Sequence, residues 1–436
     1  MAPHPTPDRS MAALSPTLGI NERVAALRAA GRRIHHLGFG ESPFPAPPRL
    51  VEALAAHAAA KDYLPVAGLP ALREAVAGHQ RRLTGHDPAD FDVLIGPGSK
   101  PLLFAIQLAI PGDLLLPVPS WVSYAPQAAL LGQRVLPVPT RLGDAGYAID
   151  PDALASTIAG ARRAGREPSK LLLNFPNNPA GLTIDDASIE ALAGVCREAG
   201  VALISDEIYG RVAHDGRYRS AGPVFPEGTI VTTGLSKHLS LGGWRLGVAL
   251  VPKAREGLFE ALCHVASETW SCVATPVQHA AVEAYAGHPD IEAHVADCAA
   301  IHGLVTRHLA RGLRSLDVDC PMPGGGFYCW PDFTARLGGR FRSSAALARA
   351  LFDDASVAAL PAVSFGEADE RLALRLAACD YDGAAALERF RTRPATEREA
   401  YRRGEGAGDG PDAALARELA PGIEAALGAF ARFLDA

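Results

Sequence analysis

Short apolar runs alternate with helical patterns between about residue 50 and residue 290. The runs are DVLIGPG, DLLLPVP, RVLPVPT, KLLLNFP, VALISDE, TIVTTGL and RLGVALVP, and amphipathic stretches such as SIEALAGVCREAG separate them. A strand that is apolar at consecutive positions is buried on both faces, and helices that link such strands cover both faces of a parallel sheet. The pattern therefore predicts a large α/β domain in which a mostly parallel sheet lies between helices.

The two ends of the chain differ from this central region. Near the N-terminus, NERVAALRAAG predicts a short helix with Asn21 as its N-cap and Gly31 as its stop. After about residue 290 the helical patterns lengthen and strands become few, which predicts a smaller α+β domain. Residues 391–411 are polar and Gly-rich, and we expect an exposed loop there before a last helix, PGIEAALGAFARFL. The predicted organisation is an N-terminal arm and small-domain segment (1–48), a large domain (49–290) and a C-terminal small domain (291–436).

Composition narrows the class of protein. The 48 acidic and 42 basic residues are spread along the chain and give a formal charge of -6, which argues against a nucleic-acid or anionic-membrane surface. The 7 cysteines include no C-x-x-C pair, so neither a disulfide framework nor a metal site is predicted. No long apolar run or signal-peptide pattern is present. We expect a cytoplasmic protein that acts on small molecules.

Polar residues cluster where the predicted strands end. The stretches are GPGSK (96–100), PSWVSY (119–124), NFPNNPAG (174–181), DEIY (206–209) and GLSK (234–237). In open α/β sheets, ligands bind at the carboxyl ends of the strands, where loops meet helix N-termini. These stretches therefore contain the candidate site residues.

Each stretch has a structural interpretation beside a chemical one. Gly98 and Ser99 fit either a tight turn or a phosphate site at a helix start, and Trp121 fits either core packing or a stacking surface. Asp206 follows a buried strand, where a carboxylate requires a partner. Lys237 follows a later strand and is either the salt-bridge partner of Asp206 or a reactive amine.

The set of stretches, taken in order, carries a resemblance. Beside those above, it includes LGFGESPFPAPP (37–48), YLPVAGLPALREA (63–75), SKHLSLGGWRLG (236–247), PGGGFYCWPD (323–332) and LRLAACDY (374–381). Together they span about residues 37 to 390. The sequence resembles the fold type I, pyridoxal-phosphate-dependent aminotransferases of class I and II, the aspartate aminotransferase superfamily. The resemblance implies a large domain with a seven-stranded sheet, a smaller C-terminal domain and pyridoxal 5′-phosphate as cofactor.

The resemblance also assigns cofactor contacts. Lys237 matches the lysine that forms a Schiff base with the cofactor aldehyde and then carries a proton at Cα. Asp206 matches the carboxylate paired with the pyridine nitrogen, and Arg245 the arginine that holds the phosphate. The other cofactor contacts implied are Gly98, Ser99, Lys100, Trp121, Asn178, Tyr209 and Ser236. Tyr63 matches a tyrosine that reaches the phosphate of a neighbouring subunit, which implies a homodimer with shared active sites.

The substrate contacts implied are fewer. Arg375 matches the arginine that binds the substrate α-carboxylate, with Asn178 and the backbone near Gly40 beside it. Relatives that act on dicarboxylates use a further arginine or lysine, which the motifs do not place. His35, His36, Phe39 and Tyr124 pass near the pocket in relatives, and packing is the interpretation we favour for each.

Some positions depart from the family pattern. Gly234 stands where a phosphate-binding serine is common, so that hydrogen bond is absent or comes from Ser236 or Ser271. GESPFP replaces the usual GEPDF, and GGGFYCW replaces a GAFY type. These departures affect the expected substrate contacts more than the cofactor contacts.

The function implied is transfer of an amino group between an L-amino acid and a 2-oxo acid. The alternative is a lyase, a γ-replacement enzyme or a C–C bond-forming enzyme of specialised metabolism, since all begin with the same loss of the Cα proton. A non-enzymatic regulator module is not expected, because residues 1–36 are too short and too weakly basic for a DNA-binding domain.

Overall fold

The computed structural model describes residues 15–406 and 408–436. The helices in this part of the chain are α1 (Pro16–Ala29), α2 (Pro48–Ala56), α3 (Pro70–Thr84), α4 (Ser99–Ala109), α5 (Tyr124–Leu130), α6 (Pro151–Arg163), α7 (Asp186–Ala199), α8 (Leu258–Thr269), α9 (Thr275–Tyr285), α10 (Pro289–Arg314), α11 (Thr334–Leu337), α12 (Ser344–Ala355), α13 (Gly383–Arg391), α14 (Ala395–Arg402), α15 (Asp409–Leu419) and α16 (Pro421–Asp435). The strands are β1 (His35–His36), β2 (Phe91–Gly96), β3 (Asp113–Pro117), β4 (Val135–Val138), β5 (Thr140–Gly143), β6 (Gly146–Ile149), β7 (Pro168–Asn174), β8 (Ala202–Asp206), β9 (Thr229–Gly234), β10 (Gly247–Pro252), β11 (Tyr328–Cys329), β12 (Val357–Ala358), β13 (Leu360–Pro361) and β14 (Leu374–Ala377).

The central sheet has seven strands in the order β2-β10-β9-β8-β7-β3-β4. The neighbours from β9 to β4 run parallel, and β10 is antiparallel to both β9 and β2. These strands are the seven apolar runs of the sequence, so the predicted mostly parallel sheet is confirmed. The carboxyl ends of β2, β3, β7, β8 and β9 meet at one edge, where β10 begins.

Both faces of the sheet are covered by helices, as the consecutive apolar residues predict. In β2, Val93 and Ile95 lie in one buried cluster with Leu72 of α3, whereas Leu94 lies in another with Leu102 of α4. All these side chains are almost fully buried. The two layers hold the sheet fixed, so the loops at its carboxyl edge extend from a rigid support.

A further buried cluster belongs mainly to the C-terminal part of the chain. It combines residues of α10, α12, α13, α15 and α16 with residues of β11 and β14, two strands of the three-stranded antiparallel sheet β11-β14-β13. Leu37 and Phe44, from near the N-terminus, pack into this same cluster. The arrangement agrees with a small α+β unit that includes an N-terminal segment, and the domain boundaries at residues 48 and 290 stay predictions.

Helix α1 begins earlier than the sequence analysis expected. Ser15 is the N-cap and Pro16 the first helical residue, because proline is favoured where an amide donor would have no partner. Asn21 therefore lies inside the helix and is not the cap; its side chain hydrogen-bonds His36 Nε2 at 3.0 Å. The helix ends at Ala29, before Gly31, close to the predicted stop.

The prediction of a loop at residues 391–411 is wrong for much of this segment. Residues 395–402 form α14, and residue 409 begins α15. Tyr401 is buried, and Arg391 and Arg402 donate to Asp297 of α10 at 3.1 and 2.6 Å. The polar composition thus reflects ion pairs that dock this segment onto α10. The last helix is α16, as predicted.

Within residues 15–406 and 408–436, no helix combines the length and the apolar character needed to cross a membrane. In the same residues, no three histidine, cysteine or acidic side chains lie grouped as ligands for a metal ion.

Candidate active site

A cavity of about 540 Å³ lies at the carboxyl edge of the sheet. Its walls come from strand ends of the large sheet, from the N-terminal segment and from β11 and β14. The lining residues are Thr17, Leu18, Phe39, Gly40, Glu41, Ser99, Lys100, Trp121, Tyr124, Asn174, Asn178, Asp206, Ile208, Tyr209, Ser236, Lys237, Gly242, Gly243, Arg245, Tyr328 and Arg375.

Asp206 ends β8 and is buried in the wall of this cavity. Tyr124 donates to its Oδ2 at 2.7 Å, and Thr232 donates to its Oδ1 at 3.3 Å. Burial nevertheless raises the pKa of Asp206 to about 6, against these hydrogen bonds. A cationic ring beside the carboxylate would supply the missing stabilisation of its charged form.

Lys237 follows β9 and lies across the cavity. Its Nζ donates to the carbonyl of Gly40 at 2.8 Å, and no ion pair joins it to Asp206 among the described residues. Burial, together with the nearby charge of Arg375, lowers the pKa of Lys237 to about 8. The salt-bridge alternative is therefore not realised, and the side chain has the properties of an available amine.

Arg245 and the start of α4 lie side by side. The backbone of Arg245 is left-handed (φ 53°), which turns the chain after Gly242–Trp244 back toward the sheet edge. Its guanidinium donates to the carbonyls of Gly242 and Pro97, and Pro97 immediately precedes Gly98, the N-cap of α4. Among the residues that the structure describes, no side chain caps the first amides of α4. Free amides beside an arginine form a site suited to a phosphate.

Arg375 lies in the middle of β14 and is 1% exposed. Its Nη2 donates to the carbonyl of Gly38 at 2.5 Å, and its Nη1 to Asn178 Oδ1 at 3.4 Å. The Nε atom has no hydrogen-bond partner among the described residues. Burial lowers the pKa of Arg375, so a carboxylate entering the cavity would offset an uncompensated buried charge.

Most of the predicted site residues lie in this one cavity. Lys237, Asp206, Tyr209, Ser99, Lys100, Trp121, Asn178, Ser236, Arg245, Gly40 and Arg375 all line it. Gly98 does not line it but caps α4 beside Arg245. Tyr63 lies outside the cavity with 90% of its surface exposed, so its role in a neighbouring subunit stays a prediction.

Other lining residues were missed or given a weaker interpretation. Tyr124 was assigned to packing, yet it donates to Asp206 and lines the cavity with Phe39. Tyr328 was not selected; its hydroxyl lies 2.8 Å from that of Tyr209. No spacing in the sequence relates Tyr124 to Asp206 or Tyr328 to Tyr209, so only the fold reveals these contacts. His35 and His36 are not among the lining residues.

The structure explains why position 234 is a glycine. Gly234 pairs with Gly247 between β9 and β10, and a Cβ there would lie 2.6 Å from the carbonyl oxygen of Leu246. A serine therefore does not fit without a shift of β10. Of the two substitutes considered, Ser236 lines the cavity and Ser271 does not.

These groups fit pyridoxal 5′-phosphate. The arginine and the free amides of α4 suit its phosphate, the buried Asp206 suits its ring nitrogen, and Trp121 at the cavity wall suits an aromatic ring. Lys237 supplies an amine for its aldehyde. The chemistry of each donor matches one part of this molecule.

Comparisons with known proteins agree on the family. The sequence profile of aminotransferase class I and II matches residues 32–387. An aspartate/prephenate aminotransferase of Thermus thermophilus is 32% identical over 382 residues, which cover 86% of this chain and 95% of that protein. An aspartate aminotransferase of Geobacillus stearothermophilus is 30% identical over 83% of this chain and 92% of its own. Among solved structures, aspartate aminotransferase from Thermus thermophilus with maleate gives a TM-score of 0.75 at 28% identity, over 90% of this chain and 96% of that one. None of these relatives supports the lyase, γ-replacement or C–C bond-forming alternative.

Proposed function

The chain belongs to the class I and II aminotransferases and is a pyridoxal-phosphate-dependent transferase, and from this premise we propose that the cavity around Lys237 is its active site. The observation that carries the proposal is the convergence of Lys237, Asp206 and Arg375, from three separate strands or strand ends, on one cavity. An amine, a buried carboxylate and a buried guanidinium are the groups that amino transfer requires.

We propose the following cofactor contacts, which the geometry of the cavity supports. Arg245, the first amides of α4 and Ser236 hold the phosphate, and Trp121 lies against the ring. Asp206 binds the ring nitrogen, and Tyr124 fixes the orientation of that carboxylate through its 2.7 Å hydrogen bond. Tyr209 and Asn178, whose Nδ2 donates to the Tyr209 hydroxyl at 3.4 Å, contact the phenolic oxygen. When bound, pyridoxal 5′-phosphate supplies an aldehyde that accepts the amino group and a ring that withdraws electrons from Cα.

Lys237 acts as the proton carrier. Because its pKa is about 8, about a tenth of the amine is neutral at pH 7. With the cofactor bound, Nζ would take up the proton from the substrate Cα and return it to the former aldehyde carbon, which lies across the transferred nitrogen from Cα. The carbonyl of Gly40 holds Nζ in the cavity.

Arg375 orients the substrate. A carboxylate accepts two parallel hydrogen bonds from a guanidinium, which fixes its direction as well as its position. The guanidinium is already held by Gly38 and Asn178, so little ordering is needed when the substrate binds. The α-carboxylate on Arg375 thus directs the Cα–H bond toward Lys237.

The charges in the cavity favour an acidic amino acid as one substrate. Its cationic lining residues are Lys100, Lys237, Arg245 and Arg375, and its acidic ones are Asp206 and Glu41. The proposed contacts assign Lys237 and Arg245 to the cofactor and Arg375 to the substrate α-carboxylate, so the Lys100 ammonium is the one of these four cations without an assigned contact. It lies 5.0 Å from the Trp121 ring centroid. The named relatives act on aspartate. We infer that Lys100 contacts a side-chain carboxylate.

A half-reaction tests this function. The cofactor-loaded protein is mixed with aspartate or with the neutral, isosteric asparagine, without a 2-oxo acid, and the cofactor and product are identified by mass spectrometry. We expect the cofactor as its amine together with the matching 2-oxo acid, formed faster from aspartate. The Lys100→Gln variant should reduce the preference for aspartate. No aminated cofactor with any amino acid tested would refute the function, and equal rates in the wild type would refute only the acidic preference.

The pKa of Lys237 predicts a pH dependence. An ordinary lysine has a pKa near 10.5, whereas the pKa of Lys237 is lowered to about 8, so the neutral amine of the apoprotein should reach half of its maximum near pH 8 and level off about one pH unit above that. Covalent uptake of the cofactor should follow the same curve, rising about tenfold per pH unit below the midpoint. Borohydride trapping at set times measures the rate. A rate that keeps rising to pH 10 would contradict the lowered pKa.

A homodimer completes the proposal. Tyr63 is a large side chain left 90% exposed, on a segment between α2 and α3. Exposed aromatic side chains are enriched in protein interfaces. We propose that Tyr63 reaches the phosphate site of a second copy of the chain.

A further inference from the structure

Tyr328 lies where the parts of the cavity that bind cofactor and substrate meet. It begins β11 and pairs with Ala377 of β14, the strand that carries Arg375. The residue is 2% exposed and lines the cavity. Gly40 lies against it so closely that a methyl group at Gly40 would overlap the Tyr328 hydroxyl. The ring and the hydroxyl are therefore both held in place.

The hydroxyl of Tyr328 contacts Tyr209. The two oxygens are 2.8 Å apart, and the interplanar angle of the rings is 77°. If Tyr209 donates its single proton to the phenolic oxygen of the cofactor, its own oxygen must act as the acceptor in the hydrogen bond with Tyr328. Tyr328 is then the donor of this pair. Burial raises the pKa of Tyr328 to about 12, with Arg375 opposing the shift, so the hydroxyl keeps its proton at neutral pH. A donor that itself accepts a hydrogen bond becomes a stronger donor.

The ring of Tyr328 contacts Arg375. The guanidinium carbon lies 4.8 Å from the Tyr328 ring centroid and 5.3 Å from the Phe365 ring centroid. Stacked aromatic rings attract a guanidinium and limit its rotation without using its N–H groups. The donors that face the cavity stay free for a carboxylate.

We propose that Tyr328 is a positioning residue with two separable roles, its hydroxyl strengthening the Tyr209 donor and its ring holding Arg375. The inference rests on the proposed function, which places the cofactor against Tyr209 and the substrate against Arg375. One side chain then couples the orientation of the cofactor contact to that of the substrate contact. Substitutions that remove only the hydroxyl, or the whole ring, separate the two roles.

The hydroxyl role is tested with Tyr328→Phe in the cofactor-loaded protein. A weaker Tyr209 donor leaves more negative charge on the phenolic oxygen, which holds the titrating proton of the lysine-linked cofactor more tightly. Loss of this proton changes the absorbance of the lysine-linked cofactor, and the pH midpoint of that change should therefore rise by about half a pH unit. Tyr285→Phe is the matched control, because Tyr285 is buried outside the cavity and its hydroxyl has no described partner. A midpoint in Tyr328→Phe that moves no more than in Tyr285→Phe would overturn this role.

The ring role is tested by the binding of maleate, an unreactive dicarboxylate, to the same holoproteins. Tyr328→Phe keeps the ring and should bind maleate within about twofold of wild type, whereas Tyr328→Leu should bind it about tenfold more weakly. Tyr328→Met serves if the leucine variant does not fold. Wild-type affinity in the ring-removal variant would overturn the role. A wild-type protein without lysine-linked cofactor would instead refute the proposed function.

Discussion

The Lys237→Ala variant is expected to lose amino transfer almost completely. In the proposed mechanism, alanine removes both the amine that would hold the cofactor covalently and the group that would move the Cα proton, and the loss of such a group costs up to about 10⁴-fold in rate. Lys100 also lines the cavity, but its ammonium lies over Trp121, so it should not replace Lys237. The measurement is turnover under saturating substrate, together with borohydride trapping of the cofactor. Turnover near the wild-type rate would refute the assignment of Lys237.

Two controls make this result specific. Burial lowers the pKa of Lys237, so its removal relieves an unfavourable buried charge, and the thermal midpoint of the apoprotein should not fall. Lys100→Ala should retain covalently attached cofactor. A small primary amine added to Lys237→Ala should restore part of the rate, because it replaces the missing proton carrier.

The Arg375→Ala variant is expected to bind amino acids far more weakly. Truncating one partner of a buried, hydrogen-bonded charge pair costs about 2 to 5 kcal/mol, which corresponds to about 30-fold to several thousand-fold in affinity. The effect should appear mainly in KM for an amino acid. An amine of the same size without a carboxylate should be processed equally by wild type and variant, because it makes no contact with the guanidinium.

Stability must be separated from binding in this variant. Alanine also leaves the Gly38 carbonyl without its donor and removes a cation from the Tyr328 and Phe365 rings. Some loss of thermal stability is therefore expected. Arg375→Lys keeps the charge but not the planar pair of donors, and it should give an intermediate KM. Unchanged affinity for amino acids in Arg375→Ala would exclude its proposed role.

The fold was predictable to the extent that burial leaves a pattern in the chain. Each strand of the central sheet is a consecutive apolar run, because helices cover both of its faces. Lys237 and Asp206 were candidates because strand ends in such a sheet converge, whereas the role of Arg245 was implied by the family resemblance. The predictions for α1 and α14 were wrong for local reasons. The N-cap of α1 is Ser15, and Pro16 is its first helical residue. The glycines that follow α14 obscured a helix that docks onto α10 through Asp297.

The contacts that the tyrosines of the cavity make could not be predicted from the sequence. Tyr124 and Asp206 are far apart in the chain and meet because α5 begins beside the end of β8. Tyr328 and Tyr209 are 119 residues apart in the chain, and their hydroxyls meet only in the folded protein. Side chains that touch only after two layers have packed leave no spacing or periodicity to recognise.

The packing of Leu37 and Phe44 against the C-terminal cluster also sets an order of events during synthesis. These residues leave the ribosome early, whereas their partners in α13, α15 and α16 leave it last. The central sheet is complete once β10 has emerged, so it is expected to fold while the early segment still lacks its partners. Gly38 and Gly40, whose carbonyls accept hydrogen bonds from Arg375 and Lys237, would then reach their places only after α13, α15 and α16 have emerged, and the pocket would become competent in a late step.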